Sequence, residues 1–108
     1  MNITQSVWTL PEAENLITAF LTIDTPELMR LFLRDIMTEK EITELSKRLK
    51  AAKMLIDSAK YTDVAQETGL SSRTIARISD WIKKDTGGYR EVIANLDAHH
   101  SHIPPVRA

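Results

Sequence analysis

Residues 62–84 read TDVAQETGLSSRTIARISDWIKK, and the spacing around Gly69 decides the fold. Two helices that cross at a tight turn need a small residue where they touch and a turn residue that tolerates positive φ. They also need apolar residues along the inner face of the second helix. Ala65 stands four positions before Gly69 and Val64 five before it, Leu70 follows directly, and Ile75 and Ile78 come six and nine later. This register predicts a helix-turn-helix over about 62–84, with Thr62 or Asp63 capping the first helix and Ser71 the second. Ser72, Arg73, Thr74, Ala76 and Arg77 are left on the open side. In a major groove Arg can pair bidentately with guanine, while Ser, Thr or a backbone N–H can hold phosphate. The candidate DNA-contacting set is therefore Ser71, Ser72, Arg73, Thr74, Ala76 and Arg77. An αα-hairpin with merely solvated arginines would carry the same glycine turn, and the charge around the motif weighs against that alternative.

The formal net charge of -1 hides an asymmetry. Residues 1–46 hold three basic side chains against eight acidic ones, whereas residues 47–90 hold ten basic against five acidic. A basic segment beside an acidic scaffold is the pattern of a nucleic-acid module. Lys50 and Lys53 precede the motif, and Lys83 and Lys84 end it. These four are candidate contacts to phosphates flanking a groove.

Helix start signals recur on both sides of the motif. Thr9 to Glu12 has capping-box spacing with an early Pro11, and Leu10, Ala13, Leu16, Ile17, Phe20 and Leu21 form one apolar face. Thr25-Pro26 opens a second helix carrying Leu28, Leu31, Phe32 and Ile36. Thr38 to Glu41 repeats the box, and Ile42, Leu45, Leu49, Ala52 and Ile56 follow at steps of three and four, about five turns. Gly87-Gly88 reads as a break with positive-φ freedom before a last helix with Tyr89, Val92, Ile93 and Leu96. No period-two strand pattern appears, so the expectation is an all-α chain of six helices. The apolar side chains of residues 28–33 cover more than one helix face. A lone chain would leave some of them wet, which implies a helical homodimer with a shared core.

At 108 residues the chain is expected to form one domain over 1–98, followed by a flexible tail at 99–108. No apolar run approaches the roughly 18 residues that cross a bilayer, and the N-terminus lacks a signal-peptide pattern. With no cysteine, disulfide and thiol chemistry are excluded. The expected location is the cytoplasm, with no membrane partner. His99, His100 and His102 have no carboxylate or Cys at ligand spacing, so no metal is expected. Gly87-Gly88 lacks the frame of a phosphate loop. Ser, His and Asp show no catalytic arrangement, so neither enzyme activity nor a cofactor is expected.

From Met37 to Leu96 the chain resembles the Trp repressor superfamily, and within it the YerC/YecD-type Trp-repressor-like proteins. The likeness is carried by IMTEKEITELSKRLKAAKMLI at 36–56, by the helix-turn-helix ending TIARISDWIKK, and by GGYREVIANL at 87–96. Residues 1–35 match in helical character only. The resemblance implies a six-helix, intertwined homodimer with two recognition helices one turn of DNA apart on a near-palindromic operator. It also implies an effector pocket, because in Trp repressor tryptophan sits between two arginines. By alignment these fall at Arg48 and Arg77, and a threonine near the indole falls at Thr38. A glycine that leaves room for the ligand falls at Ile78, and a serine that helps hold its amino group falls at Trp81. Those two side chains are expected to fill much of the space, leaving a vestigial pocket and no response to tryptophan. Two placements of the Trp81 indole stay open. It stacks near Arg77, with or without Arg48, and partly takes the place of a ligand, or it packs into the core beneath the motif. The function expected is a sequence-specific DNA-binding regulator of transcription. The alternative is a helical protein–protein interaction module on the same fold.

Overall fold

A computed structural model of the chain describes residues 7–84 and 87–102. The elements are α1 (Pro11–Leu21), α2 (Pro26–Ile36), α3 (Glu39–Ile56), α4 (Tyr61–Thr68), α5 (Ser72–Lys83) and α6 (Tyr89–His102). The architecture is all-α, without a strand among the described residues. The chain divides into two compact units, residues 1–39 and 40–108.

In the first unit α1 and α2 both begin at a proline, whose fixed φ suits the first helical position and whose missing N–H costs nothing there. Thr25 caps α2 as expected, its Oγ1 accepting from the Leu28 N–H at 3.2 Å. The cap of α1 is Leu10 rather than Thr9, and it makes no side-chain bond to the helix. Phe20 and Phe32 meet edge to face, with centroids 5.4 Å apart, the geometry that ring quadrupoles favour. Neither helix contains a buried residue. Leu21 is 79% exposed, and Leu16, Leu28, Leu31 and Ile36 lie between 42% and 47%.

The second unit holds the core: Ala51, Ala52, Val64, Leu70, Ile75, Ile78, Ile82 and Ile93. These residues come from α3, α4, α5, α6 and the α4–α5 turn, so the helix-turn-helix lies at the centre of the packing. Burial of each Ile here is worth about 1.5 to 3 kcal/mol. The long α3 departs from its sequence pattern. Its buried residues are Ala51 and Ala52, whereas Leu45 and Leu49, on the expected inner face, are 49% and 37% exposed. Periodicity selects an apolar face but does not supply something to cover it.

Among the described residues two positive-φ positions occur, Ser58 at 70° and Gly69 at 74°, and each ends a helix. At Ser58 the N–H reaches the Leu55 carbonyl at 3.0 Å, and the Ala59 N–H reaches Met54 at 2.9 Å. This is the paired Schellman closure of α3. At Gly69 a single N–H bond to the Ala65 carbonyl at 2.8 Å closes α4. The Gly87-Gly88 break works differently. A Cβ on Gly87 would stand 2.7 Å from the Trp81 carbonyl oxygen, so glycine permits a close approach there, while Gly88 has open space around it. At the C-terminus α6 runs on through residues 99–102, past the expected start of the tail, and residues 103–108 lie outside the described residues.

Candidate nucleic-acid interface

The turn between α4 and α5 is closed by side chains as well as by Gly69. Buried Thr68 donates its hydroxyl to the Val64 carbonyl at 2.7 Å and accepts the Leu70 N–H at 3.2 Å. A buried polar group stays in a fold when it is bonded in this way. Ser71 caps α5, its Oγ accepting the Thr74 N–H at 3.2 Å and donating to Thr74 Oγ1 at 3.1 Å. The cap expected for α4 is corrected. That helix starts at Tyr61 with Lys60 as cap and no side-chain bond, so Thr62 and Asp63 lie inside its first turn.

With both ends of the turn held, α5 is two-faced. Ile75, Ile78, Ser79 and Ile82 are buried, while Ser72, Arg73, Ala76 and Arg77 are exposed and Thr74 is half-buried. Among the described residues no carboxylate pairs with Arg73, Arg77 or Lys83. The lysines of α3 are engaged: Lys50 Nζ lies 3.4 Å from Glu67 Oε2, and Lys53 Nζ lies 3.4 Å from Asp97 Oδ1. Both pairs are half-exposed, a setting in which an ion pair contributes little and can be exchanged for another anion.

Of the five residues expected around an effector pocket, Arg48, Arg77, Ile78 and Trp81 line one cavity of about 520 Å³. Thr38 belongs to the other unit. Leu49 and Thr74 contribute further walls, and Gly87, Gly88, Tyr89 and Val92 form the side nearest the start of α6. The expected filling by Ile78 and Trp81 is not seen. Ile78 is turned into the core, 4% exposed, and the Trp81 indole is 47% exposed, so the space between remains open. The indole lies outside the core, on the wall of the cavity that Arg48 and Arg77 also line, and the cation over its ring is Lys84, with Nζ 4.3 Å from the centroid. The reason is local. Lys84 follows Trp81 by three positions at the helix end, within easy reach of the ring. Arg48 points its Nε to Glu44 Oε2 at 3.3 Å, one turn away on α3.

The family model for the Trp repressor protein matches residues 12–97. The chain belongs to the Trp repressor family. Protein YerC of Bacillus subtilis (strain 168) is 31% identical over 78 residues, covering 72% of this chain and 75% of that protein. A TrpR-like protein from Eubacterium eligens superposes with a TM-score of 0.77 at 32% identity, over 82% of this chain and 92% of that one. A Staphylococcus aureus structure gives the same TM-score at 29% identity, over 90% and 95% of the two chains. The match therefore extends through α1 and α2, where the sequence showed helical character alone. Members of this family are regulators rather than enzymes.

Three functional details escape sequence reasoning: the Thr68 bonds, the close approach at Gly87, and a hydrogen bond from Arg90 Nε to the Ile82 carbonyl at 3.0 Å. The first had a signal, a Thr directly before the turn glycine. The other two join positions brought together only by folding. Among the described residues no helix is long and apolar enough to cross a membrane, and none of their His, Asp and Glu groups is arranged to hold a metal. The side chains of His100 and His102 lie outside the described residues.

Proposed function

We propose that the chain is a dimeric, sequence-specific DNA-binding regulator of transcription, acting in the cytoplasm, that inserts α5 into the major groove of a near-palindromic operator. The observation that carries this reading is the outward face of α5, where Arg73 and Arg77 stand exposed beside the small Ala76 with no carboxylate partner among the described residues. Arg73 and Arg77 read base edges, while Ser71, Ser72 and Thr74 sit at the N-terminal end of α5, where helix N–H groups and the dipole favour phosphate. Lys83 and Lys84 flank the groove, and Lys50 and Lys53 exchange their carboxylates for phosphates on binding. The dimer is supported by α1 and α2, which contain no fully buried residue in the single chain. Covering those faces with a second copy removes apolar surface from water.

The further reading, that free tryptophan is not the corepressor, rests on Trp81. An indole stands there in place of the serine that helps hold the amino group in Trp repressor, so a tryptophan in the cavity that Arg48 and Arg77 line would lack that partner. Selection of bound sites from random duplexes tests the proposal. The expected result is a near-palindrome with half-sites about one helical turn apart, about 34 to 36 Å. Anisotropy binding to it should fall steeply with salt and be unchanged by added tryptophan. No enriched sequence and no binding at about 50 mM salt refute DNA recognition. The exposed faces of α1 and α2 also favour a second reading, an interaction module. Its signature is a stoichiometric protein partner together with DNA affinity unaffected by Arg73→Ala and Arg77→Ala.

A further inference from the structure

The C-terminal end of α5 is held from α6. The last carbonyls of a helix lack intrahelical partners, and each must find another donor or water. Here Trp81 O accepts the Lys84 N–H at 3.3 Å, Lys84 O accepts the Gly87 N–H at 3.3 Å, and Ile82 O accepts Arg90 Nε at 3.0 Å. The first two are local turns, but the third crosses from α6, eight residues on. Its donor is a cation at the negative end of the helix dipole, where a charge-assisted bond is favoured. α6 is itself fixed to the core by Ile93, which is 3% exposed. Gly87 completes the arrangement, because an added Cβ would meet the Trp81 carbonyl at 2.7 Å and the oxygen belongs to the helix backbone. Any larger residue has to displace the last turn of α5.

We infer that Arg90 and Gly87 form a clamp that sets the angle of α5, and that Arg90 is a positioning residue for base recognition rather than a DNA contact. The inference rests on the proposed function, since it assigns α5 the reading role. A groove contact depends on angle: rotation of α5 moves Arg73 and Arg77 relative to base edges, whereas contacts to phosphates tolerate small shifts. The clamp therefore governs discrimination between sequences more than overall affinity.

Arg90→Lys separates this from a phosphate contact. It keeps the charge but puts a methylene where Nε stood, so the bond to Ile82 is lost from its present geometry. The test compares full-length wild type, Arg90→Lys, Arg90→Met and Gly87→Ala by anisotropy, on the selected operator and on a scrambled duplex, at three salt concentrations. In parallel, amide exchange at Ile82 and Lys83 is followed in the free protein. Expected are a roughly tenfold loss of discrimination in both Arg90 variants, equal to about 1.4 kcal/mol, and roughly tenfold faster exchange at those two amides. The salt slope of Arg90→Lys should match wild type. Gly87→Ala should lose discrimination in the same way, and if it does not fold the Arg90 variants carry the test.

Wild-type behaviour of Arg90→Lys, with an equal loss on both duplexes for Arg90→Met and a salt slope lower by about one, identifies a phosphate contact and overturns the clamp. Unchanged exchange in both Arg90 variants overturns it whatever the DNA result. A wild-type protein that does not distinguish the operator overturns the proposed function, and with it the role assigned to the clamp in DNA reading.

Discussion

Ser58 and Gly69 adopt nearly the same backbone conformation, with φ of 70° and 74°, yet one carries a side chain and the other does not. The pair permits a reciprocal test of how much the left-handed conformation costs. A non-glycine residue there loses roughly 1 to 2 kcal/mol to contact between Cβ and the following carbonyl. Part of this returns through the unfolded chain, since replacing Gly by a residue with fewer accessible states stabilises by about 0.4 to 1 kcal/mol. At Gly69 an added Cβ would have nothing within 4 Å of it, so no further clash enters. Gly69→Ala should therefore destabilise by about 1 kcal/mol. Ser58→Gly should stabilise by about 0.5 to 1 kcal/mol by the same difference, because the bonds that close α3 come from the N–H groups of residues 58 and 59 and survive the change. Urea melts at one fixed protein concentration measure both, the concentration being held because the proposed dimer would make stability depend on it. A 1 kcal/mol change moves the midpoint by roughly 0.3 to 1 M when the slope is about 1 to 3 kcal/mol per M. A Ser58→Gly protein less stable than wild type, or a neutral Gly69→Ala at unchanged slope, refutes the reasoning.

Thr68→Val keeps the shape of the side chain but leaves the buried Leu70 N–H without its acceptor, and should cost about 1 to 3 kcal/mol in the same melts. Arg73→Ala should relax base preference at one position of the selected operator by about 1 to 3 kcal/mol, read as the ratio of affinities for the operator and its single-base variants. Glu67→Gln removes the carboxylate that holds Lys50, so it should strengthen binding to operator and scrambled duplex alike, with weaker binding in anisotropy counting against a phosphate role for Lys50. Leu31→Glu places a charge on an apolar face that is half-exposed in the single chain, and sedimentation should show it shifting dimer toward monomer.

What could be seen in the sequence depended on the range of the contact. The Ser71 cap, the Gly69 turn and the inward Ile75 and Ile78 each answer to residues within about four positions, and a helix repeats on that scale. The start of α4 shows where this short range stops helping. Thr62 and Asp63 are good caps by type, but the helix begins at Tyr61 without using any side chain for the purpose, and nothing nearby in sequence marks that choice. Leu45 and Leu49 show a second limit, since the spacing of an apolar stripe says which side chains share a face and nothing about what covers it. Ile78 and Trp81 show a third. The resemblance brought them to the cavity that Arg48 and Arg77 also line, but whether they fill it depends on side-chain direction. Ile78 turns inward because the core takes a branched aliphatic group there, and Trp81 turns outward under Lys84.

Contacts between elements required the fold itself. Arg90 and Gly87 sit in a stretch whose sequence signal was only a break followed by a helix, and their partners are backbone carbonyls, which leave no trace in residue type. A side chain that recognises another side chain restricts the identities at both positions. One that recognises a carbonyl restricts its own position alone, so sequence offers no pair to find. The end of α5 is therefore where the proposed clamp joins groups that only the structure brings together, and on that proposal substitutions at residues 87 and 90 should alter what α5 reads while leaving its own sequence intact.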